Sequence, residues 1–448
     1  MLYEPYFATD EIGSIFSDRA AIQHMLEFEA ALARGEAEAG VIPQDAAAAI
    51  AAQCRAELYD PAAIAKDAAR TGAAAIPLVK ALTARVEGEA KRYVHWGATS
   101  QDAQDTGLVL QQRRALAIVE RDLARAASAL AKLAARERET VMAGRTWLQQ
   151  ALPISFGLKA AGWLSALARQ RRRLDELRAR LLVLELGGAA GTLASLGDKG
   201  PAVVAAVARE LKLAIPTLPW HSMRDRSAEA AAFAAILAGT LGKIAHDLQL
   251  MMQTEIAEAG EKAEAGAGGS STMPHKRNPV LSSAILAAAA AAPGLAATVF
   301  AAQAGAHERD GSTLHAEWRA LPALYALAGG ALANAVRLIE GLELAPQRMR
   351  ANLDATHGLL MSEAVMMALS PSLGRLVAHD RVEAACRAAL AKDTALIDAL
   401  AADKEILRHL PRAELERLLE PARYLGAALA FVERALEEYK TVFIPASP

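Results

Sequence analysis

The residues best suited to chemistry lie in one short segment, Gly266–Pro279, which reads GAGGSSTMPHKRNP. Two adjacent serines supply hydroxyl groups, and His275, Lys276 and Arg277 are or can become cationic. The glycines give flexibility, whereas the Met-Pro and Asn-Pro pairs restrict the backbone beside the serines. Such a segment is either a solvated linker or a donor-rich lid that closes over a small molecule with several carboxylates. The restricted backbone beside the serines favours the lid over the solvated linker.

A second polar segment, His95–Asp102, reads HWGATSQD and precedes an apolar pattern that starts at Leu108. Thr99 and Asp102 have the spacing of a capping box, in which two side chains satisfy free N–H groups at a helix start. The same helix start carries unpaired donors and the positive end of the helix dipole, so it suits a carboxylate. The segment is therefore a helix cap, a ligand site, or both.

Two further polar segments interrupt the apolar pattern. In the first, GRTWLQQ (144–150), Thr146 and Gln149 could donate hydrogen bonds to an anion, or the segment is only a polar turn before a helix at Phe156. The second, HERDGSTLHAEW (307–318), is either a solvated corner or part of a site. Its two histidines have no cysteine or paired carboxylates arranged around them, so no zinc site is predicted.

Composition limits the class of protein. The chain has 448 residues, enough for two or three domains, and a formal net charge of −2, which disfavours a nucleic-acid partner. Cys54 and Cys386 match no metal or redox spacing and are expected to be reduced thiols in a cytosolic protein. The N-terminus has no basic region followed by an apolar run, so no signal peptide is predicted. No glycine motif for ATP or NAD is present, and no cofactor is predicted.

Apolar residues recur at helical spacing along nearly the whole chain. Long helices are predicted over three segments, 116–133, 156–186 and 227–251. Alternating strand patterns are almost absent, aromatic residues make up 4 %, and alanine is abundant, which suits close packing of helices. The predicted fold class is therefore all-α. Composition divides it into an N-terminal helical domain (1–105), a central bundle of long helices (106–344) and a C-terminal helical domain (345–448).

The segment 280–306 contains no charged residue and is long enough to cross a bilayer. Much of it is alanine, Pro293 and Gly294 interrupt it, and Gln303 lies inside it. A buried helix in a tight bundle is therefore favoured over a membrane span. Helices this apolar have more than one face to bury, which predicts an oligomer whose core is shared between subunits.

Together, these segments resemble the fumarase/aspartase superfamily. GATSQD (97–102), GRTWLQ (144–149) and GSSTMPHKRNP (269–279) follow the order and spacing of its three shared segments, and the last is its signature. The resemblance covers essentially the whole chain. It implies a three-domain helical fold, a homotetramer built on a central helical bundle, active sites assembled from three subunits, and no cofactor or metal. Most members eliminate across a C–C bond to give fumarate.

Within the superfamily, the chain is most similar to the bacterial 3-carboxy-cis,cis-muconate cycloisomerase family. The similarity lies in FSDRAAIQHMLEFEAALA (16–33), HWGATSQDAQDTGLVLQ (95–111), HAEW (315–318) and Trp147, which replaces a histidine found in most of the superfamily. HWGATSQD, HERD and HKRNP also resemble adenylosuccinate lyase, so that enzyme, or another fumarate-releasing lyase, is the alternative. Some members serve as structural lens proteins, so a helical scaffold without activity is a third alternative. The intact serines, Lys276 and Asn278 favour an enzyme.

The resemblance also implies a reaction and residue roles. The implied reaction interconverts 3-carboxy-cis,cis-muconate and 4-carboxymuconolactone, in the protocatechuate branch of the β-ketoadipate pathway, by proton transfer alpha to a carboxylate. Ser270 is the implied proton-transfer residue, with the neighbouring Ser271 as its substitute. The implied substrate-binding residues are Lys276, Asn278, Thr99, Ser100, Gln149, Thr146, His95, Arg19 and Arg309. Trp147 would form a pocket wall that excludes water, because a carboxylate leaving group needs no general acid.

Overall fold

Helices dominate the computed structural model, which describes residues 2–262, 268–269, 272–273 and 275–444. This confirms the all-α prediction. The helices are α1 (Glu4–Phe7), α2 (Asp10–Ile15), α3 (Asp18–Glu38), α4 (Gln44–Ala52), α5 (Pro61–Thr71), α6 (Ala75–Arg85), α7 (Ser100–Arg136), α8 (Phe156–Leu181), α9 (Gly200–Leu211), α10 (Asp225–Met251), α11 (Val280–Ala301), α12 (Gly311–Glu340), α13 (Pro346–Asp354), α14 (Ser362–Leu373), α15 (Arg375–Lys392), α16 (Leu396–Ala402), α17 (Lys404–His409), α18 (Arg412–Leu418) and α19 (Ala428–Phe443).

Strands in the described chain are limited to two short antiparallel pairs. They are β1 (Val141–Thr146) with β2 (Gln149–Ser155), and β3 (Ala259–Gly260) with β4 (Glu343–Leu344). The first pair is a hairpin that the sequence did not predict, because segment 144–150 was expected to be either an anion-binding segment or a polar turn before Phe156, and neither expectation included strands.

The chain forms two compact units. The first comprises Met1–Leu123, Gln170–Lys243 and Ala284–Ala335, and the second comprises Ala124–Arg169, Ile244–Ser283 and Val336–Pro448. The division into three domains at 105 and 344 stays a prediction.

In the first unit, α3 packs between α4 and α9. Leu26, Phe28 and Leu32 of α3 are fully or almost fully buried in this core. A side chain at Gly35 would meet Val207 of α9 at 2.9 Å, so the absence of a Cβ lets the two helices approach closely. This packing makes α3 a rigid support, which matters below because α3 also carries a buried carboxyl group.

The second unit has its own apolar cores. One lies among the short C-terminal helices and includes Val365, Leu369, Leu400 and Ile406. A smaller one joins the hairpin to α13 and to the chain that follows it as far as the first turn of α14, with Ala143, Leu353, Leu360, Met361 and Ala364 as its buried members. The hairpin is therefore anchored at its base by apolar packing.

The helix α8 is shorter than predicted. The apolar pattern predicted a helix as far as residue 186, but α8 ends at Leu181. The next residues are extended and exchange hydrogen bonds with a second extended segment: Leu184 N–H donates to the Ala214 carbonyl, and Ala214 N–H donates to the Leu182 carbonyl, both at 2.9 Å. A buried extended segment is as continuously apolar as a buried helix, so its periodicity does not separate the two.

Among the described residues, three helices are long and apolar enough to cross a membrane by length and composition alone: Asp225–Met251, Val280–Ala301 and Gly311–Glu340. In α10 and α12, 61 % of the most apolar window is buried within the chain, whereas in α11 the figure is only 33 %. The segment is helical, and its burial in a bundle shared between subunits stays a prediction, since the single chain buries only part of it. The other residues of α11 are half-buried or exposed in the single chain.

Candidate active site

The segment that precedes α7 is a tight turn with strained backbone. His95 has φ +58° and Gly97 has φ +73°. A side chain at Gly97 would meet Leu196 at 2.7 Å, so both conformation and space require glycine there. A residue other than glycine with positive φ, such as His95, costs of order 1–3 kcal/mol and is usually held by its surroundings. The helix α7 then starts at Ser100, as the sequence predicted.

The Asp102 carboxylate organises this turn. It accepts hydrogen bonds from the N–H groups of Thr99 (2.8 Å), Gly187 (2.9 Å) and Gly188 (3.0 Å), and its Oδ1 lies 2.6 Å from His221 Nε2. The hydrogen bond from the Thr99 N–H group is one of the two bonds that form a capping box. This half of the predicted capping box is confirmed. The three other partners lie more than 80 residues away, so the helix cap also fixes the glycine turn that follows α8.

Arg309 lies against the same turn. Its guanidinium donates to Thr99 Oγ1 (3.1 Å), Gln101 Oε1 (2.9 Å) and the carbonyls of Gly188 (3.3 Å) and Ala189 (3.1 Å). Because the Thr99 oxygen accepts from a cation, its own hydrogen is left to point towards a ligand. The structure thus brings together two of the predicted substrate-binding residues, Thr99 and Arg309, and places Ser100 directly beside them at the helix start.

His95 is held from the other side by a residue that the sequence reading missed. Its Nδ1 lies 2.6 Å from Glu29 Oε1, and the Glu29 side chain is 1 % exposed on α3. Burial of the ring opposes its protonation, but Glu29, with a smaller effect of Asp102, outweighs burial and raises the pKa of His95. The two residues are 66 positions apart, and a glutamate within an apolar helix gave no signal of this pairing.

Beneath the first turns of α7 lies a buried ionic triad. Arg224 donates to both oxygens of Asp105 (2.7 and 2.9 Å) and of Glu317 (3.0 and 2.6 Å), and Ser227 also donates to Glu317 at 2.6 Å. All four side chains are buried. Paired in this way, each charge has a fixed partner, and the triad anchors α7 to α12.

Asp102, Glu185 and His221 place one potential metal-ligand atom each within 4.8 Å of one another. The four donors around Asp102 leave it no free lone pair for an ion. Burial and the nearby Asp105 and Asp102 carboxylates raise the pKa of Glu185 to about 9, so this group is neutral near pH 7 and a poor ligand. The cluster therefore serves to fix the Thr99 turn. A second such group, His379, Asp380 and Glu383, is exposed on α15.

The hairpin of the second unit carries three predicted residues. Thr146 and Gln149 face each other across its end, and the two-residue loop between them is Trp147-Leu148, with φ of +52° and +65°. Two successive positive φ values are those of a type I′ turn, which normally favours Asn-Gly. Trp147 is 96 % exposed and Leu148 is 83 % exposed. The role of Trp147 as a pocket wall stays a prediction, since in the single chain its ring faces solvent.

The hairpin is fixed by a buried ion pair. Arg145 donates to both carboxylate oxygens of Glu258 at 2.8 and 2.7 Å, and Glu258 is fully buried. Asn352 also donates to Glu258 at 2.8 Å. A bidentate arginine pair of this kind fixes orientation as well as distance, so the residues at the exposed tip stand on a rigid base.

The signature segment is described only in part. Ser270 and Ser271, the predicted proton-transfer residues, lie outside the described residues. Asn278 N–H donates to the Gly268 carbonyl at 2.8 Å, and Gly269 and Arg277 form an antiparallel bridge. The Lys276 side chain is exposed, and Asn278 is half-buried.

Glu261 closes the base of this segment. It accepts hydrogen bonds from the N–H groups of Leu281 and Ser282 at the start of α11. The predicted anion-binding residues Lys276 and Asn278 therefore lie in a stretch of chain whose two ends are joined by the hydrogen bonds of Glu261.

Arg19 lies apart from the Thr99 group. Its side chain is exposed on the first turn of α3, and no hydrogen bond joins it to Thr99, Ser100 or Arg309 among the described residues. The assignments of all the site residues to substrate remain predictions.

Comparison with known proteins gives a consistent result. The family described as Lyase matches residues 5–294, and the Adenylosuccinate lyase C-terminus matches residues 358–435. A 3-carboxy-cis,cis-muconate cycloisomerase of Pseudomonas aeruginosa is 55 % identical over 98 % of this chain and 96 % of its own length. A nitrosuccinate lyase of Streptomyces davaonensis is 46 % identical over 97 % of this chain and 94 % of its own.

The solved structures agree. The crystal structure of the 3-carboxy-cis,cis-muconate lactonizing enzyme from Pseudomonas putida superposes with a TM-score of 0.94, at 48 % identity, over 98 % of this chain and 99 % of that one. Its fold matches the all-α arrangement described above, and the resemblance predicted from the three polar segments is confirmed. On these grounds the chain belongs to the lyase family of the fumarase/aspartase superfamily.

Proposed function

We propose that this chain is a 3-carboxy-cis,cis-muconate cycloisomerase, an intramolecular lyase of protocatechuate breakdown through the β-ketoadipate pathway. The observation that carries the proposal is the 55 % identity to a cycloisomerase over 98 % of the chain. The reaction closes the tricarboxylate 3-carboxy-cis,cis-muconate to 4-carboxymuconolactone. A carboxylate oxygen forms a bond to one carbon of a double bond, the π electrons move to the neighbouring carbon, and that carbon takes up a proton.

The difficult species is the carbanion next to a carboxylate, whose charge spreads onto the carboxylate oxygens. Cations and N–H or O–H donors that are already in place supply most of its stabilisation. Thr99, whose oxygen is occupied by Arg309, and Ser100 would donate to one carboxylate. Lys276 and Asn278 would hold another, and Thr146 and Gln149 would orient the chain of the substrate. Ser270, or Ser271 in its place, would deliver the proton in this direction and remove it in reverse.

Trp147 fits a leaving group that needs no acid. In the reverse reaction the group that leaves is the substrate's own carboxylate, whose conjugate acid has a pKa of about 4 by analogy with side-chain carboxyls. A histidine acid is then dispensable, and an aromatic side chain that excludes water can stand in its place.

The proposed assembly is a homotetramer with active sites shared between subunits. Two exposed apolar features support it: α11, of which only a third of the most apolar window is buried, and the Trp147-Leu148 tip. Contact with copies of the chain would cover both, so no membrane is needed to shield α11. We also propose that the enzyme acts in the cytoplasm and binds no nucleic acid. Size-exclusion chromatography with light scattering tests the assembly.

A second candidate is a lyase that releases fumarate or a related product, such as adenylosuccinate lyase. The match of residues 358–435 to the Adenylosuccinate lyase C-terminus and the nitrosuccinate lyase relative favour it. The absence of a histidine at Trp147 argues against adenylosuccinate, because a purine nitrogen leaves poorly unless it is protonated.

A substrate panel tests the proposal. The purified protein is mixed with 3-carboxy-cis,cis-muconate, adenylosuccinate, argininosuccinate, nitrosuccinate, or fumarate with ammonia, and the ultraviolet absorbance is followed. We expect loss of the muconate band and no comparable rate with the other compounds. Turnover of another compound with an unchanged muconate band would overturn the proposal. The Ser270→Ala variant is the control for contaminating activity.

A further inference from the structure

The buried carboxyl group of Glu29 has no evident structural reason to lie where it does. It sits on the apolar face of α3 and is 1 % exposed, and its Oε2 has no hydrogen-bond partner among the described residues. Burying a carboxyl group with one unpaired oxygen costs free energy. In the described part of the chain, its hydrogen-bond partner is His95 Nδ1, at 2.6 Å. The group is therefore directed at His95.

His95 is in turn held in a defined orientation. Its backbone lies in the left-handed region, at φ +58°, four residues before Thr99. Nδ1 is engaged by Glu29, and Nε2, on the other side of the ring, has no hydrogen-bond partner in the described part of the chain. The His95 side chain keeps 16 % of its surface exposed, whereas the Glu29 side chain is buried. Nε2 is thus the ring nitrogen left for a ligand.

The charges around the ring favour the protonated imidazole. Glu29 approaches it from α3 and Asp102 from the first turn of α7, and both act against the effect of burial to raise the pKa of His95. Glu36, on the same helix as Glu29, and Cys54 are the other titratable groups that interact with Glu29. A protonated ring has donors on both nitrogens, so with Nδ1–H paired to Glu29 it presents Nε2–H to an anion.

We propose that Glu29 is a positioning residue: it fixes the orientation and the proton of His95, so that Nε2 donates to a carboxylate of the substrate bound at Thr99 and Ser100. This inference rests on the proposed function in one respect, that the substrate is a polycarboxylate. A carboxylate that pairs with the far nitrogen of a histidine and sets its tautomer and orientation is a general device of protein chemistry. Here the pairing with Glu29 would help His95 to bind a negatively charged carboxylate of the substrate. His95 would not need to transfer a proton.

The test compares Glu29→Gln with Glu36→Gln in the full-length protein. Both residues are buried carboxyls on α3, but only Glu29 contacts His95, so Glu36→Gln is the matched control. Two quantities are measured: the pH titration of His95, followed by NMR of protein labelled at histidine Cε1 and assigned with His95→Gln, and kcat and KM for 3-carboxy-cis,cis-muconate. A double variant, Glu29→Gln with His95→Gln, completes a double-mutant cycle with the two single variants.

In Glu29→Gln the midpoint of the His95 titration should move to lower pH. At about pH 7.5, KM should rise roughly tenfold with a smaller change in kcat, as expected when a charge-assisted hydrogen bond to bound substrate is lost. As the pH is lowered and the ring regains its proton, KM should return towards that of the unchanged protein. The double variant should bind no worse than His95→Gln alone, because Glu29 acts only through His95.

Three results would overturn the proposal: an unchanged His95 titration, a shifted titration with unchanged KM, or an equal rise of KM in Glu36→Gln. If Glu29→Gln does not fold, Glu29→Asp replaces it and should show smaller changes in the same two quantities, and no change in either again overturns the proposal. The titration needs no substrate, so it tests Glu29 even if the substrate panel selects a different polycarboxylate, with which KM is then measured.

Discussion

Glu261 Oε1 accepts hydrogen bonds from both the backbone N–H and the hydroxyl group of Ser282, at 2.9 and 2.7 Å. Its Oε2 accepts from the N–H of Leu281 at 3.0 Å. One carboxylate thus caps α11, where the helix dipole favours negative charge. Because Glu261 precedes the signature segment and Ser282 follows it, the same contact joins the two ends of that segment.

Glu261→Gln should weaken this closure. The amide group has one oxygen and would place N–H donors against the N–H of Leu281 or Ser282. We expect the free energy of unfolding to fall by about 1–2 kcal/mol and kcat/KM to fall with it. Urea denaturation and steady-state kinetics measure the two effects. Glu255→Gln, at an exposed residue six positions earlier, is the control and should change neither.

Ser270→Ala should leave binding of the muconate almost intact and lower kcat by a factor on the order of a hundred or more. The reason is that, in the proposed mechanism, this hydroxyl group transfers the proton and does not bind the carboxylates. Stopped-flow binding and turnover of Ser270→Ala and Ser271→Ala are compared. A harmless Ser270→Ala together with an inactive Ser271→Ala would reverse the assignment of the two serines.

Trp147→His should fold, because histidine tolerates the left-handed backbone at φ +52°. It should not by itself create cleavage of adenylosuccinate, and it should not raise cycloisomerase turnover, since the leaving carboxylate needs no acid. Both activities are assayed in the ultraviolet. A cycloisomerase rate above that of the unchanged protein would show that the proposed reason for the tryptophan is wrong.

Stability should fall as pH rises through the neutral range. Burial, with a smaller effect of Glu29, raises the pKa of Glu36 from 4.5 to about 9, and burial also raises that of Glu185 to about 9. The folded state holds these protons more tightly than the unfolded chain, so their contribution is complete below pH 4.5 and is lost progressively towards pH 9.

Urea denaturation across this range should show a decline on the order of a few kcal/mol. Glu36→Gln should reduce the decline, because its amide does not titrate. A free-energy difference between Glu36→Gln and the unchanged protein that is the same at every pH would contradict this account.

Arg224→Met should be strongly destabilising. It would leave the buried carboxylates of Asp105 and Glu317 without their cation, and the expected loss is roughly 3–5 kcal/mol of unfolding free energy. Thermal and urea denaturation measure it. Arg319→Met, at an exposed residue of the same region, should stay within about 0.5 kcal/mol of the unchanged protein. Equal losses in the two variants would mean that the triad has no special role.

Local sequence predicted those features that depend on neighbouring residues. The start of α7 at Ser100 and the bond between Thr99 and Asp102 follow from capping chemistry within four residues. The helical class follows from the period of the apolar residues. The hairpin was missed because its turn, Trp147-Leu148, lacks the glycine or asparagine that normally signals positive φ.

The contacts that position the site could not be predicted in this way. Glu29 and His95 are 66 residues apart, and Arg224 and Glu317 are 93 apart. In the sequence each appears as an ordinary charged residue in a helical pattern, and only the fold determines which charges meet. Such pairings depend on packing over long separations, about which local propensity carries no information.

The open apolar surface of α11 has a consequence for how the protein matures. The helix has 22 residues without a single charge, and only a third of its most apolar window is buried within the single chain, so in the proposed homotetramer it stays partly open until other copies bind. We expect refolding yield to be lowest at high dilution, where encounters are slow, and at high concentration, where aggregation competes. A chaperone that shields this helix should widen the range of concentrations at which active protein forms.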